Sequence, residues 1–131
     1  MNEPTIAATA DAQRRAFAPV TAADHVFRWL ATGSEAIEAM LQHIERAKHR
    51  VALEFYICKP GAVSDRFRIA LIAACLRGVH VQLLLDAFGS DEVAGGYWRE
   101  LEQCGGQLRW FNPMRLLRLS FRNHRKLLAS H

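Results

Sequence analysis

Cysteine is scarce: Cys58, Cys75 and Cys104 are all that 131 residues contain. They stand far apart, form no Cys-x-x-Cys pair and match no zinc spacing, which argues against a disulfide framework or a cysteine-built metal site. An odd number without a pattern points to reduced thiols and a cytoplasmic setting. Cys75, set among alanines and leucines, reads as a free buried thiol. No run approaches the ~18 to 20 consecutive apolar residues needed to cross a bilayer, so any membrane contact is expected to be peripheral. Residues 1–20 have Glu3 early and no apolar core, which is unlike a secretory signal. Their Ala, Thr, Pro and Arg content reads as a disordered leader, expected over residues 1–23. There is no internal repeat and no low-complexity block.

Acid is also missing, but only locally. Residues 107–131 carry six basic side chains (Arg109, Arg115, Arg118, Arg122, Arg125, Lys126) and no Asp or Glu. The chain as a whole has 17 Lys+Arg against 13 Asp+Glu, so the first 106 residues are left with a slight acidic excess. Basic charge gathered at one end suits a phosphate-bearing partner, or else a solvated basic tail. Half of the residues are hydrophobic and 23% are charged, the composition of one globular domain.

Periodicity supplies the elements. Residues 25–30 form a short apolar run, readable as an opening strand. Ser34 is placed to cap a helix, with Glu35 and Glu38 in its first turn. Ile37, Met40, Leu41, Ile44 and Ala47 then recur at helical spacing to about residue 48, with Lys48 and Arg50 suited to its end. Residues 51–57 alternate as a strand. Lys59-Pro60-Gly61 is a turn, and a helix is expected over 64–77, apolar around much of its circumference and so expected to be largely buried. Gly78 suits its C-terminal cap. Residues 79–85 read as a parallel strand covered on both faces. A loop over 86–90, a helix over 92–104 weakened by Gly95-Gly96, and a strand over 107–111 follow. The last strand is expected to begin near His124. Strands alternating with helices through short links predict an α/β layered domain with a mostly parallel sheet, occupying residues 24–131.

The chemistry is concentrated in Arg122-Asn123-His124-Arg125-Lys126. On a strand, His124 and Lys126 share one face. An imidazole can attack phosphorus or move a proton, and an ammonium can hold phosphate oxygens. The tripeptide His-x-Lys alone is equally compatible with a solvated basic strand. Asp86, Gly89 and Ser90 lie beyond the C-terminal end of a strand, where α/β sheets hold ligands, although Gly89 also reads as a turn residue. Glu54 could orient groups near that edge or sit on a half-exposed face. Residues 114–121 alternate basic and apolar side chains, suiting either a lipid interface or a core-packed loop.

An ordered set of segments carries more weight: Gly33-Ser34-Glu35-Ala36, Val51-Ala52-Leu53-Glu54-Phe55-Tyr56-Ile57, Ala73 to Val79, Val81 to Asp86, Gly89-Ser90, Tyr97-Trp98, Phe111-Asn112-Pro113 and Asn123 to Leu128. Together they resemble the first half of phospholipase D superfamily phosphatidyltransferases of the bacterial cardiolipin synthase kind. The resemblance implies a phospholipase D-like fold and phosphatidyl transfer through a phosphohistidine, without metal or cofactor. It implies His124 as nucleophile or its acid/base partner and Lys126 as phosphate ligand; beside them Arg122, Asn123 and Ser90 are the expected substrate contacts, although Asn123 could equally begin the strand. The family's motif has an Asp five positions after the lysine, with four residues between them, where this sequence has His131. The resemblance therefore implies a domain truncated within its motif, inactive alone, that needs a missing second half or a second copy to complete the site. The implied partners are a phospholipid and a peripheral site on the inner membrane, with nucleic acid the lesser expectation. The alternatives are a dimeric phosphodiesterase or nuclease of the same superfamily, or a non-catalytic fragment.

Overall fold

The computed structural model describes residues 19–112 and 125–131. Most of the expected leader, the basic-apolar stretch 114–121, and Arg122, Asn123 and His124 lie outside the described residues. The chain divides into two units, Met1–Met40 and Leu41–His131.

In the first unit, β1 (Val20–Ala22) and β2 (His25–Phe27) form an antiparallel hairpin. Its two-residue turn has both central residues at positive φ, Ala23 at 48° and Asp24 at 64°, the turn whose twist matches a hairpin. The expected leader therefore gives way to a strand by Val20, and of the apolar run at 25–30 only His25–Phe27 is a strand, paired with β1 instead of with the main sheet. Both strands are exposed along their whole length, Val20, Val26 and Phe27 included.

Helix α1 (Gly33–Arg46) is capped by Thr32, not by Ser34. The Glu35 amide donates to Thr32 Oγ1 at 3.1 Å, and Glu35 Oε2 accepts from the Ala31 amide at 2.8 Å. This is a capping-box arrangement shifted one residue outward. Leu41 and Ile44 are its buried side chains. Arg46 lies in its last turn, and a further cation reaches this end from elsewhere in the chain. Arg77 Nη2 donates to the Ile44 and Glu45 carbonyls at 3.1 and 3.0 Å, where the helix dipole favours positive charge.

The second unit is built on a four-stranded sheet in the order β5-β4-β3-β6. Strands β3 (Arg50–Phe55), β4 (His80–Asp86) and β5 (Gln107–Phe111) run parallel, and β6 (Lys126–Ser130) is antiparallel to β3. The sheet is mostly parallel, as the alternation of elements predicts. Helix α2 (Ala62–Leu76) packs against β4, and α3 (Arg99–Gln103) packs against α2 and β5. The core lies between these helices and one face of the sheet: Val51, Leu53, Val81, Leu83 and Leu85 meet Phe67, Leu71, Ala74 and Leu101. Full burial of such a side chain contributes about 1.5 to 3 kcal/mol.

Three expectations change here. Helix α2 ends in a Schellman motif, with the Val79 amide donating to the Ala74 carbonyl and the Gly78 amide to the Cys75 carbonyl, and Gly78 takes the required φ of 87°. The helix is not buried around its circumference, however. Ile69 and Leu76 are 62% and 74% exposed, so its apolar residues exceed the single face the sheet covers. Strand β4 is not apolar on both faces either. Gln82 accepts from Arg50 at 2.6 Å and donates to Gln107 at 3.0 Å, a polar ladder across three strands on the half-exposed face. The helix expected over 92–104 is a 3₁₀ turn (Asp91–Val93) followed by the short α3, interrupted at Gly95-Gly96.

Core and surface positions predict contrasting costs. Leu83→Ala is expected to lower stability by about 2 to 5 kcal/mol, the range for a buried leucine. Ile69→Ala is expected to change it by no more than about 0.5 kcal/mol. Urea unfolding of the two variants checks both values.

Candidate active site

Parallel strands β3, β4 and β5 all finish at the same sheet edge, with Phe55, Asp86 and Phe111 as their last residues. Strand β6 runs the other way, so its first residue arrives at that edge. Lys126 pairs with Phe55, and one step outward the Tyr56 amide donates to the Arg125 carbonyl at 3.0 Å. The chain thus enters β6 where open α/β sheets hold their ligands.

Register also sets the direction of the lysine. Residues directly opposite across strands share a face, so Lys126 belongs with Phe55 on the helix-covered side. Phe55 itself meets Phe67 of α2 edge-on at 5.1 Å. Lys126 is exposed, and its Nζ stands 6.0 Å from the centre of the Tyr56 ring, within reach of a weak cation–π attraction. An exposed ammonium, steadied by one ring and by the pairing of its strand, is suited to gripping an anion.

The loops after β3 and β4 are laced together beside this edge. Asp86 is buried, and its Oδ1 accepts the Phe88 and Gly89 amides at 3.0 and 3.2 Å, turning the chain away from the sheet. Ser90 is fully buried; its Oγ accepts the Cys58 amide at 3.0 Å and donates to the Tyr56 carbonyl at 3.4 Å. Gly89 lies so close to Tyr56 that an added Cβ would sit 2.1 Å from its carbonyl oxygen. The glycine is needed for close approach of two backbones, not for a positive φ. Lys59 and Glu92 pair at 2.8 Å across the same two segments. Burial pushes the Cys58 thiol up to about 11, which leaves it protonated at neutral pH and unsuited to attack.

Residues 40–131 match the family described as cardiolipin synthase, PLD-like domain. The chain belongs to this phospholipase D-like family. It is 36% identical over 122 residues to a cardiolipin synthase of a Geobacillus strain, covering 90% of this chain and 24% of that protein. It is 35% identical over 103 residues to the major cardiolipin synthase ClsA of Bacillus subtilis, covering 76% of this chain and 21% of the relative. Cardiolipin synthase A of Shigella dysenteriae is 33% identical over 105 residues, with 76% of this chain and 22% of the relative covered. The chain therefore spans between a fifth and a quarter of these relatives' length.

Within this phospholipase D-like domain, the expected site residues are placed as follows. Lys126 is at the sheet edge, and His124, Asn123 and Arg122 lie outside the described residues. Ser90 is close to the edge in sequence and space, but its hydroxyl is engaged with backbone and shielded from solvent. It can act on a ligand only through the loop it ties. His131, at the position of the motif acid, is far from Lys126. Five residues at about 3.3 Å each put it roughly 16 Å along the strand. There its carbonyl accepts the amides of Lys48, His49 and Arg50 at 3.2, 2.7 and 3.0 Å. Tyr56 is the contact that sequence reasoning missed. It sits one residue past the end of β3, and only the pairing of β3 with β6 brings it to the lysine.

Glu54 lies on the opposite face. With Ala52, Gln82, Leu84, Arg109 and Leu127 it lines an open hollow of about 360 Å³. Lys126 does not share that face, so this hollow is separate from the site at the edge. Among the described residues no group of three or more His, Cys, Asp or Glu is arranged to hold a metal ion.

Gly89→Ala is expected to destabilise the domain by about 1 to 3 kcal/mol, because the Tyr56 backbone must shift. Ser90→Ala is expected to cost about 1 to 3 kcal/mol by leaving the buried Cys58 amide without its acceptor. Wild-type urea midpoints for both variants would show that the two loops are held by something else.

Proposed function

We propose that the domain takes part in phosphatidyl transfer of the cardiolipin synthase type, with His124 and Lys126 as its catalytic pair. The observation that carries this reading is the placement of Lys126: the antiparallel strand delivers it to the edge where the parallel strands end. The named activity of the relatives and the family match to residues 40–131 support it.

In this proposal an imidazole nitrogen of His124 attacks the phosphorus of a phospholipid. A P–N bond forms, the bond from phosphorus to the leaving alcohol breaks, and a second imidazole supplies the proton that the alcohol takes. The acceptor hydroxyl then gives its proton to that same base and attacks the phosphohistidine, which returns His124 to its free state. Lys126 binds non-bridging oxygens and offsets charge that builds at phosphorus. His124 could equally be the acid/base member of the pair. These 131 residues hold one His-x-Lys, so the second imidazole comes from a second motif, in another half or another copy. The substrate is a phospholipid met at the inner membrane surface. The expected contact with that surface is peripheral; no helix among the described residues is long and apolar enough to cross a membrane.

The test uses phosphatidylglycerol vesicles and a polypeptide carrying both motifs. His124→Ala is expected to lower cardiolipin formation at least about 10³-fold, the scale for losing a covalent nucleophile. Lys126→Ala is expected to lower it about 10²-fold or more, as for a lost charge-stabilising donor. The 131-residue chain assayed alone is expected to show no turnover. Wild-type turnover by His124→Ala would overturn the assignment, and cleavage of DNA in place of lipid transfer would favour the nuclease reading.

A further inference from the structure

The two partly exposed cysteines meet where α2 and α3 end side by side. Cys75 lies in the last turn of α2, and Cys104 follows α3 as its C-terminal cap. Cys75 Sγ donates to the Cys104 carbonyl at 2.8 Å across 29 residues of sequence, and Cys104 Sγ donates to the Leu101 carbonyl at 3.2 Å. The Cys75 thiol therefore lies directly against the backbone of the residue that carries the second thiol. Cys58, by contrast, is buried beside the Ser90 loop.

We propose that Cys75 and Cys104 form a dithiol site that closes to an intramolecular disulfide when a small-molecule disulfide of the glutathione type is present. One protein thiolate attacks the small disulfide, forming a mixed disulfide and expelling one small thiolate, which takes up a proton. The second protein sulfur, deprotonated, attacks the mixed disulfide at the protein sulfur and expels the other small thiolate. The protein loses two protons and two electrons, and the small disulfide becomes two thiols.

The geometry supplies the approach, and the surroundings set the pace. Burial first, and the neighbouring Cys104 thiol second, push the Cys75 thiol up to about 11. A thiol of that kind is seldom ionised at neutral pH, so closure is slow there and faster in alkali. It is also a poor leaving group, so a bridge once formed opens slowly. The closed loop would enclose β4 and the Asp86–Ser90 turn, and so would tie the segment that borders the candidate site to the helical layer. This inference stands apart from the proposed transfer chemistry, since neither sulfur touches the sheet edge.

The experiment treats the full chain with oxidised glutathione at pH 8.5, quenches it with a thiol-alkylating reagent and determines intact mass and cross-linked peptides. The expected product is a monomer lighter by two hydrogens, with a bridge joining positions 75 and 104 that dithiothreitol reverses. Cys58→Ser should bridge as the wild type does, and Cys75→Ser and Cys104→Ser should not. The unfolding midpoint should rise on oxidation, because the bridge constrains the unfolded chain. A glutathione adduct that never resolves, a bridge that includes Cys58, or a disulfide between chains would overturn the proposal. So would a bridge that lowers the unfolding midpoint, since the sulfurs would then have met only through distortion of the native packing.

Discussion

Everything at the candidate site depends on strand β3 having neighbours of opposite sense. On one side β4 runs with it, in register from Arg50 with His80 to Phe55 with Leu85. On the other, β6 runs against it, from Phe55 with Lys126 to Val51 with Ser130. A parallel partner there would have put the start of the last strand at the opposite edge. The antiparallel sense brings the lysine to the end of the sheet where the loops after β3 and β4 gather. The alternation of β3 completes the arrangement. Val51 and Leu53 are held in the core, Phe55 follows them onto the helix side, and Lys126 goes with it.

The loops are organised by the same economy of space. Ser90 and Gly89 both address Tyr56, one through its hydroxyl and one through lack of a side chain. Tyr56 in turn meets the last strand twice, by its amide to Arg125 and by its ring to Lys126. A short path of contacts therefore links the turn after β4 to the lysine without passing through the hydrophobic core. Residues read from sequence as substrate contacts and residues that hold the backbone in place are neighbours here, and Ser90 belongs to the second kind by burial and bonding.

Much of this was legible in the residues. The apolar alternation of β3, the helical spacing in α1 and α2, and the glycine after α2 all mark elements that the structure contains, and the mostly parallel sheet follows from their order. Long-range pairing was not legible. Nothing local says that the final strand lies antiparallel against β3, because strand sense is settled by which edge is open and how the chain returns to it. Burial on α2 was over-read for a related reason: apolar residues all round a helix do not create a second surface to cover them. Ser34 as cap failed because Thr32, two residues earlier, has Glu35 at the spacing that satisfies both ends of the box. The meeting of Cys75 and Cys104 was equally hidden, since it arises from two helix ends that are adjacent only in space.

Both ends of β6 are fastened to β3 and to the residues that flank it. At His131 one carbonyl gathers three amides and the residue's own amide answers to Arg50; at the other end the Tyr56 amide reaches the Arg125 carbonyl and the Tyr56 ring faces the Lys126 ammonium. A strand moored at both ends keeps its register, since a slip of one residue would turn every side chain to the other face of the sheet. The ammonium is thereby committed to the helix-covered side of the sheet, next to the loops that gather there.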